Sequence, residues 1–297
     1  MYSRILVPLD GSKVAEQVLP HARFFARALQ IPVDLLSVVD IEGLMALADP
    51  RHGRPLDTVL GERMHDREAY LETVGGSFSG GSVTCLVERG KPEEGIIEKA
   101  AAGGATLIAM ATHGRSGIQR WLLGSVAEKV LHGASNHLLL VRASEGGSTD
   151  GEAVLKTVVI PLDGSELAEG VISHAVELTR KMTLDVILLR AYALPPSVSV
   201  DDYGTYDQDL MGLLEAEAKD YLAERVKLLK AKGIEHISSV VEFGYGAEKI
   251  IAFARKTPNN FIAMCTHGRS GIKRWALGSV TERVVQHSGD PVLIIRA

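Results

Sequence analysis

The chain has 297 residues, 46% hydrophobic and 23% charged, with a formal net charge of −5. That balance excludes a basic field recruiting DNA, RNA or anionic lipid, and no apolar run approaches the roughly 20 residues that span a bilayer. The two cysteines, Cys85 and Cys265, are far apart without metal-ligand spacing, so neither a disulfide framework nor a zinc site is expected.

The opening "MYSRILVPLDGS" has no charged segment followed by a long apolar stretch, so a signal peptide is not expected and the expected location is the cytoplasm. Arg4–Val7, Val33–Val39, Val83–Val87, Thr106–Ala111 and Leu138–Val141 then read as strands. Helical patterns fall between them at Lys13–Leu29, around Leu60–Val74, at Pro92–Ala102 and at Ser125–His132. A Gly-, Ser- and acid-rich stretch, "SEGGSTDGEA", reads as a flexible linker.

After it the same order returns. Strands are expected at Thr157–Ile160, Asp185–Leu189, Ile237–Val241, Phe261–Cys265 and Val292–Ile295, and helices at Glu166–Met182, Leu210–Lys232, Ala247–Lys256 and Ser279–Gln286. "SRILVPLDGS" matches "KTVVIPLDGS", and "ATHGRSGIQRWLLGS" matches "CTHGRSGIKRWALGS", at offsets of 153 and 154 residues. Two landmarks repeated in one order mean a duplicated domain. The expected division is 1–143, a linker at 144–155, and 156–297. Apolar strands alternating with helices predict an α/β fold: two tandem doubly wound domains, each a parallel sheet with helices on both faces. Ligands of such sheets bind beyond the strand carboxyl ends, where strand order reverses.

Both repeated phrases fall at strand carboxyl ends. "PLDGS" reads first as a turn, with Ser12 capping the next helix. A second reading puts the carboxylates of Asp10 and Asp163 at a crevice rim, able to accept from a ribose hydroxyl or hold a metal. In the later phrase, Ser125-x-x-Glu128 and Ser279-x-x-Glu282 read as capping boxes. Glycines beside a helix start, with Arg115 and Arg120, then Arg269, Lys273 and Arg274, point to an anion site.

These paired motifs resemble the universal stress protein family, specifically its tandem two-domain members, over essentially the whole chain. The resemblance implies five-stranded sheets of order 3-2-1-4-5, with ATP, with or without Mg²⁺, as the cofactor. The family's Gly-x-x-Gly, nine residues, Gly-Ser pattern is met by Gly114 with Gly124 and Ser125, and by Gly268 with Gly278 and Ser279. Its leading glycine is replaced by Ala111 and Cys265. By resemblance, Pro8 and Asp10 flank the adenosine, Val38 meets adenine through its backbone, and Gly114, Gly124, Ser125 and Val126 surround the phosphates. The matching positions are Pro161, Asp163, Ala191, Gly268, Gly278, Ser279 and Val280. His113 and His267 lie inside the phosphate loop, as phosphate ligands or loop braces.

His21 and His174, matched between copies, read as packing residues; Trp121 and Trp275 read as apolar lids or interface anchors. "SGGS" at 79–82 precedes a strand and reads as a turn. The leading functional reading is a nucleotide-binding stress or regulatory protein with unequal sites, the first half being the better binder. A slow, incidental ATPase and a nucleotide-free interaction module are the alternatives. The fifth strands, "HLLLVR" and "PVLIIR", are apolar edges that invite pairing between the halves and then a homodimer.

Overall fold

The apolar runs of the first half become β1 (Arg4–Pro8), β2 (Val33–Val39), β3 (Val83–Arg89), β4 (Thr106–Ala111) and β5 (His137–Val141). Between them come a 3₁₀ turn (Ala15–Val18), α1 (Leu19–Leu29), α2 (Ile41–Leu47), α3 (Leu56–Gly75), α4 (Pro92–Ala102) and α5 (Ser125–Gly133). The computed structural model describes residues 1–47, 56–112, 123–194, 206–266 and 277–296, which divide into units Met1–Val154 and Leu155–Ala297.

In the first unit β1 pairs in parallel with β2 on one side and β4 on the other; β2 carries β3, and β4 carries β5. The order is therefore 3-2-1-4-5. Ile5, Leu6, Val7, Leu107, Ile108 and Ala109 are essentially without exposure, because helices cover both faces of the central strands. β3 is an edge and its residues are half-buried or exposed. Ala22, Phe25 and Leu29 of α1 recur at three- and four-residue spacing and are buried, the stripe that seats a helix on a sheet. Each such Leu or Phe contributes about 1.5–3 kcal/mol when fully buried.

The second unit repeats the plan with β6 (Thr157–Pro161), α6 (Glu166–Glu169), α7 (Val171–Met182), β7 (Asp185–Tyr192) and α8 (Tyr206–Ala231). It continues through β8 (Ile237–Phe243), α9 (Gly246–Lys256), β9 (Asn260–Cys265), α10 (Ser279–His287) and β10 (Val292–Ile295). Parallel pairing gives β8-β7-β6-β9-β10. The expected α/β class and strand order are thus present in both halves. Among the described residues no helix is long and apolar enough to cross a membrane.

Two local expectations are corrected. The helix read at Lys13–Leu29 opens as the 3₁₀ turn and becomes α-helical only at Leu19, with Pro20 in its first turn; proline has no N–H to give and is tolerated there. Its counterpart breaks at Gly170 into α6 and α7.

The stretch read as a flexible linker lies along the first unit's first helical segment. The Gln17 side chain donates to Ser144 O (2.9 Å) and accepts from Ser144 N (2.8 Å). Arg23 Nη1 donates to the Thr149 and Gly151 carbonyls, and Arg27 grips the Glu152 carboxylate. Backbone groups of a Gly- and Ser-rich stretch are thereby satisfied by side chains of the 3₁₀ turn and α1.

Burial pushes the His21 imidazole down to about 4, against a weaker opposing effect of the Gln17 backbone. The unfolded group titrates near 6.5, so as pH falls from about 7 to about 5 the unfolded chain takes up a proton that the folded chain refuses, and stability is lost. His21→Leu is expected to reduce that loss by on the order of 1–2 kcal/mol, read from urea unfolding of both proteins at the two pH values.

Candidate functional site

At the carboxyl end of β1 the chain turns sharply. Gly11 takes φ +75°, a conformation that L side chains rarely hold. Ser12 donates to Asp10 Oδ1 through its amide (2.9 Å) and its hydroxyl (2.5 Å), and Ser12 Oγ accepts the Ala15 N–H (3.1 Å). The turn and rim readings coexist, because Asp10 closes the turn with one oxygen while lining a cavity of about 310 Å³. That volume falls within the range of about 300–1,000 Å³ usual for small-molecule pockets.

One wall of the cavity is apolar and comes from Leu36, Val38, Ile96 and Met110, with Pro8 and Ala111 at the strand ends. The opposite side is the start of α5: Gly124, Ser125, Val126 and Ala127. Gly95 lets α4 come down on β2, since a Cβ there would lie 3.1 Å from Val38 Cγ2. Lys129 Nζ of α5 bonds Glu93 Oε1 in the first turn of α4 at 2.5 Å, which ties the two helical walls together.

The start of α5 differs from the capping-box expectation. The N-cap is Gly124, in extended conformation, and Ser125 is already the first helical residue. Gly124 donates its N–H to Thr112 O (2.6 Å), and its carbonyl accepts the Glu128 N–H (2.8 Å). A capping serine must occupy the N-cap itself to reach back to the third helical amide; Ser125 stands one residue too late. α10 repeats this with Gly278 as N-cap and no side-chain cap. Both helices therefore present first-turn amides and a positive dipole end to a crevice, uncapped by their own N-cap residue.

The second unit builds the same site. Ser165 donates to Asp163 Oδ1 through its amide (3.0 Å) and hydroxyl (2.7 Å), and the Ala168 N–H reaches Ser165 Oγ (3.1 Å). A cavity of about 280 Å³ is lined by Pro161, Asp163, Leu189, Ala191, Ile250, Met264 and Cys265, with Gly278, Ser279 and Val280 opposite. Leu36, Ile96 and Met110 recur as Leu189, Ile250 and Met264, while Val38 becomes Ala191 and Pro92 becomes Gly246.

Cys265 is the larger of the two replacements for the leading glycine, and its sulfur is packed within the unit. A Cβ on Gly170 would lie 3.4 Å from Cys265 Sγ. Burial pushes this thiol up to about 11, with the Val171 backbone N–H opposing. In the first unit the position equivalent to Gly170 is Gln17, and the position equivalent to Cys265 is Ala111. Large and small have changed places across the two copies.

Pro8, Asp10, Val38, Ala111, Gly124, Ser125 and Val126 thus meet around one cavity, and Pro161, Asp163, Ala191, Gly278, Ser279 and Val280 around the other. His113, Gly114, Arg115, Arg120 and Trp121, with His267, Gly268, Arg269, Lys273, Arg274 and Trp275, lie outside the described residues. The apolar wall of Leu36, Ile96 and Met110 escaped the sequence reading; the signal that could have found it is its repetition one copy later. Among the described residues no group of three or more His, Cys, Asp or Glu side chains could hold a metal ion.

A model of the universal stress protein family matches residues 1–142 and again 155–296. The chain belongs to this family. Universal stress protein MJ0531 of Methanocaldococcus jannaschii is 30% identical over 147 residues, covering 50% of this chain and 85% of that protein. A universal stress protein of Mycolicibacterium smegmatis is 23% identical over 300 residues, covering 98% of this chain and 96% of its own. The crystal structure of a universal stress protein from Archaeoglobus fulgidus superposes with a TM-score of 0.65 at 21% identity, covering 99% of this chain and 96% of that one. Two family domains in tandem, a length shared with the mycobacterial relative, and the common fold make this chain a tandem universal stress protein.

Because Ser125 is not the cap, Ser125→Ala is expected to change the free energy of unfolding by less than about 0.5 kcal/mol, where loss of a capping serine costs about 1 kcal/mol. Chemical denaturation of parent and variant decides between the two.

Proposed function

We propose that the chain is a nucleotide-responsive regulatory protein that binds an adenine nucleotide, ATP with or without Mg²⁺, in the crevice of each unit. The observation that carries this reading is the crevice itself, formed twice, where an uncapped helix start faces an apolar wall beyond the strand carboxyl ends. A flat base suits the apolar side; phosphates suit backbone amides at a positive dipole end.

In the first unit, Leu36, Val38, Ile96 and Met110 would hold the base. Asp10 keeps one carboxylate oxygen for a ribose hydroxyl after the turn has used the other. Gly124, Ser125 and Val126 would receive the phosphates, completed by His113, Gly114 and Arg115. Leu189, Ala191, Ile250 and Met264 form the second base pocket, with Asp163 at the ribose. Gly278, Ser279 and Val280, together with His267, Gly268 and Arg269, take the phosphate side there.

When bound, the nucleotide supplies charge and hydrogen-bond acceptors that the crevice groups can use, and no reaction is needed for that. Different affinity for two conformations or assembly states is enough to make a regulator. The sites differ at Val38 against Ala191 and Ala111 against Cys265, and the first is read as the tighter one.

The test is to denature gently purified protein, identify released nucleotide by chromatography and mass spectrometry, and titrate emptied protein with ATP and Mg²⁺ in a calorimeter. Unequal binding is expected at the two crevices. Gly124→Val should abolish the tighter phase and Gly278→Val the weaker one, since both glycines hold ordinary extended φ and ψ that valine tolerates. Protein that carries no nucleotide and shows no heat of ATP binding would refute the reading.

A further inference from the structure

A cation sits over the rim of the first crevice that neither repeated motif announces. Arg67 extends from α3 onto the Asp10–Gly11–Ser12 turn, so closely that a Cβ on Gly11 would run into its guanidinium. The positive φ is what calls for glycine here, and its missing side chain leaves the space in which the guanidinium rests. One helical turn further along α3, Tyr70 donates its hydroxyl to Glu16 Oε1 (3.3 Å). Burial chiefly, then the negative charges of Glu16 and Asp10, raise that phenol, while the charge of Arg67 acts in the opposite sense. Arg67, Tyr70, Glu16 and Asp10 therefore form one polar cluster beside the turn.

The cluster's other charges are already engaged. Glu16 is bonded to Lys13 Nζ at 2.6 Å as well as to Tyr70, and Asp10 Oδ1 is used by Ser12. Arg67 is half-buried, and among the described residues no acceptor takes a hydrogen bond or ion pair from its guanidinium. A planar group with five donors, drawn partly out of water at a crevice rim, is arranged for acceptors that arrive with a ligand.

The second unit shows what the same scaffold looks like without it. Tyr221 repeats the brace, donating to Glu169 Oε1 at 2.8 Å, with Leu222 following it as Leu71 follows Tyr70. Three residues before Tyr221, in the place of Arg67, stands Ala218, fully buried. Two guanidiniums lie on the Tyr221 ring and both are paired, Arg225 with Glu169 at 2.8 Å and Arg190 with Glu217 at 3.0 Å.

We infer that Arg67 is a phosphate-binding residue particular to the first crevice, which makes that crevice prefer a phosphorylated nucleoside to the bare nucleoside. The inference rests on the nucleotide reading above and deepens it. Loss of the cation would remove charge-assisted bonds to phosphate while leaving in place the side chains read above as holding base and ribose.

The experiment uses the full chain carrying Gly278→Val, so that only the first crevice is read, and titrates it with ATP and, separately, with adenosine. Arg67→Ala is expected to weaken ATP binding about tenfold or more and adenosine binding by less than about twofold, and Arg67→Lys to recover part of the loss. The ATP affinity of the Arg67 protein should also fall more steeply with added salt than that of Arg67→Ala. Unchanged ATP binding in Arg67→Ala, or equal weakening of both ligands with no recovery by lysine, overturns the inference while leaving the nucleotide reading in place. Failure of the Arg67 protein to bind either ligand overturns both.

Discussion

Everything in each unit hangs on the divided pairing of its first strand. β1 hydrogen-bonds to β2 on one side and β4 on the other, and the chain leaves β1 toward β2 but arrives at β4 only after crossing back. The crossovers therefore run away from each other at the carboxyl ends, where sheets of this order leave a crevice. β6, between β7 and β9, does the same. The crevice is a consequence of topology, and the residues in it are those that topology leaves at its edge.

Two local devices shape that crevice. The Asp-Gly-Ser turn brings the chain off the strand with its hydrogen bonds satisfied internally, leaving a carboxylate at the rim. The glycine N-cap brings the fourth crossover back with its first amides uncapped by a side chain. A serine one position earlier would have capped those amides and spent their hydrogen-bonding capacity on the helix itself. Local stability is forgone at both helix starts, where the N-cap residue has no side chain to accept a first-turn amide.

Duplication allowed the copies to diverge while their strands stayed in register. Gln17 and Ala111 in one copy stand where Gly170 and Cys265 stand in the other. In the first unit the longer side chain also anchors the segment that follows β5; in the second, glycine lies beside the buried Cys265 sulfur. Likewise one Tyr–Glu brace joins α3 to the 3₁₀ turn and α8 to α6, but the guanidiniums beside it in the second unit are paired with Glu169 and Glu217, while Arg67 lies on the Gly11 turn in the first. Such pairwise exchanges are invisible when either copy is read alone, because each residue is unremarkable without its neighbour.

What the sequence determined by itself was the plan. Repeated landmarks at a constant offset, and the alternation of doubly apolar strands with amphipathic helices, dictate two parallel α/β domains, since only a sheet covered on both faces buries such strands. Pro8 and Asp10 were legible at a strand end and Gly124 and Ser125 at a helix start, while Val38 came from the family resemblance alone; all five line one cavity. Tertiary structure alone decided which serine caps a helix, because one residue of phase separates a cap from a first turn and propensity does not resolve it. It alone set Leu36, Ile96 and Met110 as one wall, since they come from three elements that only packing brings together. It also turned a stretch rich in glycine and serine into an anchored segment and laid Arg67 on Gly11, contacts whose energy depends on residues more than fifty positions apart.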